Sequence, residues 1–241
     1  MPYILDIATA VPEYSVSKNE LVEFYSDSLE KNSADPIRKK LRIISEKTRI
    51  ENRYSCIPDF NRKKAELFVD GVMNPSVEKR LEIFNVKSVA LGKTVIEKIF
   101  RQTEVKPGQV THFITVTCTG ISAPGLEFLL AEDLGLMHTE KLGINYLGCY
   151  AALKALKHAQ YIAKAEPEAC VLIVCVELCS LHFVPSVEDE DVLANLLFAD
   201  GAAATIVCGD QFKQEKKLPV LHIDDIGSAY IPGTMDLMTW N

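Results

Sequence analysis

Tryptophan is almost missing from this chain, with one in 241 residues, and aromatic residues of all kinds make up only 8%. A Cys-x-x-Cys pair is missing altogether, which argues against a zinc ribbon or a thioredoxin-like centre; no metal is expected. The seven cysteines (Cys56, Cys118, Cys149, Cys170, Cys175, Cys179 and Cys208) are odd in number and mostly lie in apolar segments. They read as free thiols of a reducing compartment rather than as a disulfide framework. Long apolar runs are also lacking. VLIVCV is far too short to span a bilayer, and MPYILDIATAVPEYS has no basic start followed by a long apolar stretch, so a cytoplasmic protein is expected. Nor is there an excess of positive charge: a net charge of −7 leaves no broad basic face for nucleic acid or a membrane surface.

What is present is a chain able to bury a core. Hydrophobic residues make up 48% and charged residues 24%, enough for one large domain or two small ones, and no linker divides residues 1–241. The pattern alternates strand and helix. YILDIATAV reads as a first strand, and Ser17 with Glu20 forms a capping-box signature that starts a helix. Residues 76–102 read as a longer helix, with Val77, Leu81, Phe84, Val95, Ile96 and Ile99 in its apolar stripe. Pro107-Gly108 breaks the chain before the strand HFITVTC, and Gly120, Pro124 and Gly125 mark a loop before a helix through LEFLLAEDLG. GINYL reads as a short strand, and CVLIVCVE as a strand covered on both faces of a parallel or mixed sheet. FADGAAATIVC reads as an Asp-Gly turn and a strand, with LPVLHIDDIGSAY as its antiparallel neighbour. Together these predict a layered α/β fold.

Cys149 stands between the strand GINYL and an Ala/Leu-rich helix, ALKALKHAQYIAKA. A thiolate at a helix start is stabilised by unpaired backbone N–H groups and the helix dipole, which is the position of a nucleophile; the alternative is an inert buried cysteine. Lys39, Lys40, Arg42, Lys47, Arg49 and Arg53 crowd one stretch, and Arg62, Lys63 and Lys64 another. They read either as solvated faces or as docking sites for a phosphorylated ligand such as coenzyme A. Glu177 ends an apolar strand, where a carboxylate is costly unless hydrogen-bonded, so it reads as structural, with cavity tuning as the alternative.

Four blocks, THFITVTCTGISAPGLEFLLAEDLGL, GINYLGCYAALKAL, CVLIVCVELCSLHF and LLFADGAAATIV, resemble in order and spacing the amino-terminal half of the type III polyketide synthases. These are the chalcone-synthase-like enzymes of the thiolase superfamily, and the bacterial branch resembles the chain most. The resemblance implies a thiolase-like layered α/β/α fold with a mixed sheet, and a nucleophile helix buried between sheets. It implies a homodimer meeting near LGCYAA and SAPG, and an acyltransferase that condenses an acyl-CoA starter with malonyl-CoA. Coenzyme A thioesters are then substrates and no cofactor is implied. Cys149 falls at the catalytic cysteine that carries the acyl chain as a thioester. Phe198 falls at an aromatic gatekeeper, whose alternative is a core aromatic before a turn. Cys118, Cys179 and His182 fall at starter-pocket positions where plant enzymes have threonine, and Ala123 where they have a methionine that reaches across the dimer. Lys40 and Lys47 fall at cationic positions that hold the coenzyme A phosphates. Ile43 occupies a third, with Arg42 beside it as the substitute.

The family's catalytic histidine and asparagine belong to its second half, which the sequence DLMTWN does not reach. His182 falls on the pocket-lining segment instead, and His112, His138, His158 and His222 have no patterned partner. Residues 1–241 are therefore expected to be the thiolase-like amino-terminal domain, inactive alone, with an apolar surface that drives dimers or aggregation. Three origins are open: an excised portion of a synthase, one half of a split enzyme with a separate carboxy-terminal half as partner, or a non-catalytic dimerising subunit. A ketoacyl synthase III-like enzyme using an acyl carrier protein is the alternative activity.

Overall fold

A computed structural model describes residues 1–29, 31–61, 64–69, 72–213 and 220–234, with the side chains of all but 31–36. Strands β1 (Tyr3–Ala10), β4 (His112–Thr117), β5 (Glu140–Asn145), β6 (Cys170–Leu178), β7 (Asp200–Cys208) and β8 (Leu221–His222) form one mixed sheet in the order β5-β4-β6-β7-β1-β8. β4 runs parallel to both β5 and β6, whereas β7 is antiparallel to β6 and β1. β2 (Tyr14–Ser17) and β3 (Asn52–Ser55) form a separate antiparallel pair. The helices are α1 (Lys18–Ser28), α2 (Lys31–Thr48), α3 (Val77–Thr103), α4 (Leu126–Leu134), α5 (Ala151–Ala165) and α6 (Asp189–Leu197).

β6 explains the layering. Cys170, Leu172, Val174, Val176 and Leu178 join the larger core on the α3 side, while Val171, Ile173 and Cys175 join the core on the α5 side. A strand covered on both faces has no polar alternation, which is why CVLIVCVEL reads as a continuous apolar run. On α3, Phe84, Ser88, Leu91, Val95 and Ile99 are buried at helical spacing against β1, β6 and β7. On α5 the buried face is Ala151, Ala155, Ala159 and Ala163, small side chains one turn apart that pack on β4, β5, β6 and β7. The architecture is the expected α/β/α sandwich. A cluster of Phe24, Phe60, Phe68 and Phe183, with ring centroids 4.8–6.0 Å apart, anchors the segment that follows β6; each such pair contributes about 1 kcal/mol beyond its burial.

Several sequence expectations are corrected. Val77 is not in the α3 stripe but is 71% exposed, since it opens the helix directly after the Ser76 cap. The strand before Cys149 is Glu140–Asn145 rather than GINYL, and Tyr146 leaves it at φ 57. Asp200-Gly201 is no turn: both residues pair with β6 as the start of β7. Among its described residues LPVLHIDDIGSAY contributes one strand, Leu221–His222, and its partner is β1 rather than β7. In this chain helix α5 is covered by the sheet on one face only: Leu153 (57%) and Tyr161 (54%) on its outer side are exposed. Among the described residues no helix is long and apolar enough to cross a membrane.

Candidate active site

β4, β5 and β6 point the same way, so the segments leaving their carboxyl ends meet at one edge of the sheet, where open α/β folds place ligands. Cys118 follows β4, the Gly148-Cys149-Tyr150 turn follows β5, and Cys179 opens a 3-10 turn (Cys179–His182) after β6. β7 runs back from the same edge, placing Asp200 opposite Leu178. Residues 118, 149, 179 and 200, distant in sequence, are thus assembled by strand direction alone.

The Cys149 turn depends on Gly148, whose φ of 78 lies in the left-handed region that a side chain disfavours. The Ala151 N–H donates to the Gly148 carbonyl at 3.0 Å, and the Leu153 N–H to Tyr150 at 3.0 Å. The helix therefore opens at Ala151, capped by Tyr150, and Cys149 stands just ahead of the cap rather than within the first turn. All seven cysteines are free, and Cys149 is the exposed one among them. Cys149 is therefore not a buried cysteine. The Cys118 Sγ lies 3.8 Å from the Gly148 carbonyl oxygen, bringing a second thiol to the same turn. Burial, reinforced by the Asp200 and Glu177 carboxylates and by Cys149, pushes the Cys179 thiol up to about 12, so it stays protonated at neutral pH.

Behind these thiols lies a polar network. Glu177 accepts hydrogen bonds from the Cys118 N–H at 3.0 Å and the Thr119 hydroxyl at 2.8 Å, and the Thr119 oxygen accepts the Leu178 N–H at 2.9 Å. Burial raises the Glu177 pKa, with these donors opposing the shift. His182 donates from Nε2 to the Thr119 carbonyl at 2.6 Å, and burial lowers its pKa, so the ring is a neutral structural donor. Asp200 accepts from the Ser180 N–H at 2.7 Å, the Ser180 hydroxyl at 2.6 Å and the Cys56 N–H at 2.6 Å. Thr119, Ser180 and Asp200 escaped the sequence reading. Only Asp200 carried a signal, an acid within an apolar run, and its Asp-Gly context disguised it as a turn.

The remaining predicted residues divide by location. Lys40 and Lys47 lie seven residues apart on α2 and line one cavity of about 490 Å³ with Ile44, Thr48, Asp189, Leu193 and Leu197. Arg42, two residues from Lys40, is exposed and outside this lining, as is Ile43. Phe198 caps the carboxyl end of α6 next to Leu197 and is 46% exposed, which overturns the core-aromatic alternative. Ala123 is exposed in the loop after β4 and precedes Pro124 through a cis peptide. Arg53 leaves the basic cluster entirely: it is buried, with its guanidinium donating to the Leu196 carbonyl. Arg62 and Lys63 lie outside the described residues. Among the described residues no three His, Cys, Asp or Glu side chains group as a metal site would require.

Several known proteins resemble this chain in sequence and fold. The probable polyketide synthase 1 of Dictyostelium discoideum is 28% identical over 99% of this chain, which spans 7% of that protein. The C-terminal type III polyketide synthase domain of Steely1, a type I/III hybrid from Dictyostelium, superposes with a TM-score of 0.76 at 28% identity, over 86% of this chain and 56% of that one. The 1,3,6,8-tetrahydroxynaphthalene synthase of Streptomyces coelicolor, a bacterial type III polyketide synthase, gives 0.82 at 26% identity, over 99% of this chain and 64% of its own. PKS-I from the brown alga Ectocarpus siliculosus gives 0.80 at 28% identity, over 90% and 58%. The chain therefore spans less than two thirds of each relative. Residues 2–211 match the family described as chalcone and stilbene synthases, N-terminal domain, and the chain belongs to that family of type III polyketide synthases.

Proposed function

We propose that this chain supplies the nucleophile and the coenzyme A contacts of a decarboxylative condensing acyltransferase. Cys149 attacks the carbonyl of an acyl-CoA starter, coenzyme A leaves as its thiol, and the acyl group is held as a Cys149 thioester. Malonyl-CoA then loses carbon dioxide, and its enolate attacks the thioester carbonyl, breaking the carbon–sulfur bond and leaving the extended chain on coenzyme A. The observation that carries this reading is the exposure of Cys149 at the strand–turn–helix junction, while Cys56, Cys170 and Cys208 are buried. Phe198, Cys118, Cys179, His182 and Ala123 shape the acyl site, and Lys40 and Lys47, with Arg42 outside their cavity, hold the coenzyme A phosphates.

Enolate formation needs a donor pair that polarises the malonyl thioester carbonyl. The five histidines are all described and are engaged elsewhere: His182 on Thr119, His138 on Val110, His158 on Lys154, His112 beside Thr111, and His222 edge-on to the Tyr3 ring in β8. None of these histidines is therefore proposed as the catalytic one, and we expect no polyketide from this chain alone. Tyr146, Leu147, Tyr150 and Leu153, exposed by 41–57% around the Cys149 turn, favour a homodimer or a carboxy-terminal half covering that face, in a cytoplasmic protein. Incubation with a series of acyl-CoAs and intact-mass measurement tests the reading. A single acyl adduct that is lost in Cys149→Ala supports it, and no adduct with any of them overturns it.

A further inference from the structure

The cavity between α2 and α6 contains its own anion. Lys40 reaches from α2 to the start of α6, where its ammonium pairs with the Asp189 carboxylate and donates to the Val187 carbonyl at 2.8 Å. Asp189 is the first residue of α6 and lines the cavity together with Lys40 and Lys47. The two partners differ in how firmly they are held: the Lys40 side chain is 31% exposed, the Asp189 side chain 86%. The lysine is held by a second partner, the Val187 carbonyl, whereas the carboxylate stands largely in solvent. Ile44, Leu193 and Leu197 make the rest of the wall apolar, so Lys40, Lys47 and Thr48 are what a phosphate has to bind there.

An anion tethered beside a cation acts as an intramolecular ligand at high effective concentration. A phosphate approaching Lys40 must displace that carboxylate or accept its repulsion, and either lowers affinity. We propose that Asp189 is a resident competitor for the phosphates of the coenzyme A thioester, setting how tightly this domain holds its substrate. The inference rests on the assignment of Lys40 and Lys47 to those phosphates. Because the pair is largely solvated, its strength is that of a surface ion pair, and its removal strengthens phosphate binding by about two- to fivefold.

The test is calorimetric titration of the full chain with coenzyme A at one low ionic strength. Asp189→Asn is expected to bind about two- to fivefold more tightly than the wild type. Glu190→Gln, which removes an equal charge from the same turn, is expected to change affinity by less than half as much. In a Lys40→Ala background, where affinity is weaker, Asp189→Asn is expected to have no further effect. The competition is overturned if Asp189→Asn leaves affinity unchanged or weakens it, if Glu190→Gln does as much, or if the gain persists without Lys40. Loss of affinity in Lys40→Ala and Lys47→Ala with no gain in Asp189→Asn sinks the competition but not the phosphate assignment. Unchanged affinity in both lysine variants, or no binding by the wild type, removes the assignment and the competition with it.

Discussion

Glu177 holds Cys118 by its backbone: both carboxylate oxygens lie 3.0–3.1 Å from the Cys118 N–H, tying the loop after β4 to the end of β6. The same carboxylate receives the Thr119 hydroxyl. A bare carboxylate at the end of an apolar strand is tolerated only because these donors replace water. Glu177→Ala leaves a peptide N–H and a hydroxyl without their acceptor and is expected to destabilise the domain by about 2–3 kcal/mol. Glu177→Gln, which keeps one acceptor oxygen, recovers about half of that. Urea midpoints of the three proteins at neutral pH check the order, and equal midpoints for wild type and Glu177→Ala would contradict it.

His182 makes the same region sensitive to acid. Burial, aided by Arg80, lowers its pKa below the ordinary value against the opposing pull of the Thr119 carbonyl. In the unfolded chain the ring takes a proton near pH 6.5, whereas in the fold it resists protonation. The unfolded state then binds more protons, so stability falls as pH drops below about 6.5 and is independent of this residue above it. His182→Gln keeps an N–H for Thr119 without titrating. Its urea midpoint is expected to fall less than that of the wild type between pH 7.5 and 5.5, and parallel curves would refute the assignment.

What the sequence made legible was local. Ser17 and Glu20 form the capping box because both partners lie within one turn: the Glu20 N–H donates to the Ser17 hydroxyl at 3.2 Å and the Ser17 N–H to the Glu20 carboxylate at 2.7 Å. The thiol between a strand and an Ala-rich helix was legible for the same reason, as was the doubly covered β6. What escaped was set by distant partners. Asp200-Gly201 has the chemistry of a turn, but pairing with Leu178 and Glu177 draws it into β7, where its donors come from Ser180 and Cys56. Leu153 fits the apolar period of α5 yet stays exposed, because periodicity reports which side chains prefer burial and not whether the chain supplies a surface to bury them. The Lys40–Asp189 pair spans two helices and left no pattern in either.

Two glycines of the site are required for different reasons. A Cβ on Gly120 would sit 2.2 Å from the Phe84 ring, inside the core that supports the β4 loop, so Gly120→Ala forces repacking at a cost of about 1–3 kcal/mol. A Cβ on Gly148 would meet nothing within 4 Å, and the obstacle there is the backbone at φ 78, worth about 1–2 kcal/mol for alanine. Gly120→Ala should therefore lower the unfolding midpoint while leaving the alkylation rate of Cys149 in the folded protein near that of the wild type. Gly148→Ala should alter both. Identical behaviour of the two variants would contradict the distinction.

The cysteines themselves provide the sharpest measurement, because the fold grades them by burial and charge. Cys149 is exposed, Cys118 is partly covered, and Cys56, Cys170 and Cys208 are buried. Cys175 and Cys179 are partly covered but held protonated, pushed up by burial and nearby carboxylates to about 11 and about 12. Alkylation requires a thiolate that the reagent can reach, so protonation and burial each slow it. With limiting iodoacetamide at pH 7.5, peptide mapping is expected to find Cys149 labelled first and Cys118 next, with Cys56, Cys170 and Cys208 labelled only as urea unfolds the chain. Cys175 and Cys179 should follow Cys118, and their rates should climb as the pH is raised toward 10, whereas Cys170 and Cys208 stay unreactive until unfolding because access limits them. If Cys179 reacts as fast as Cys149 at pH 7.5, the carboxylates beside it do not suppress its ionisation, and selectivity for a single nucleophile at this sheet edge must have another source.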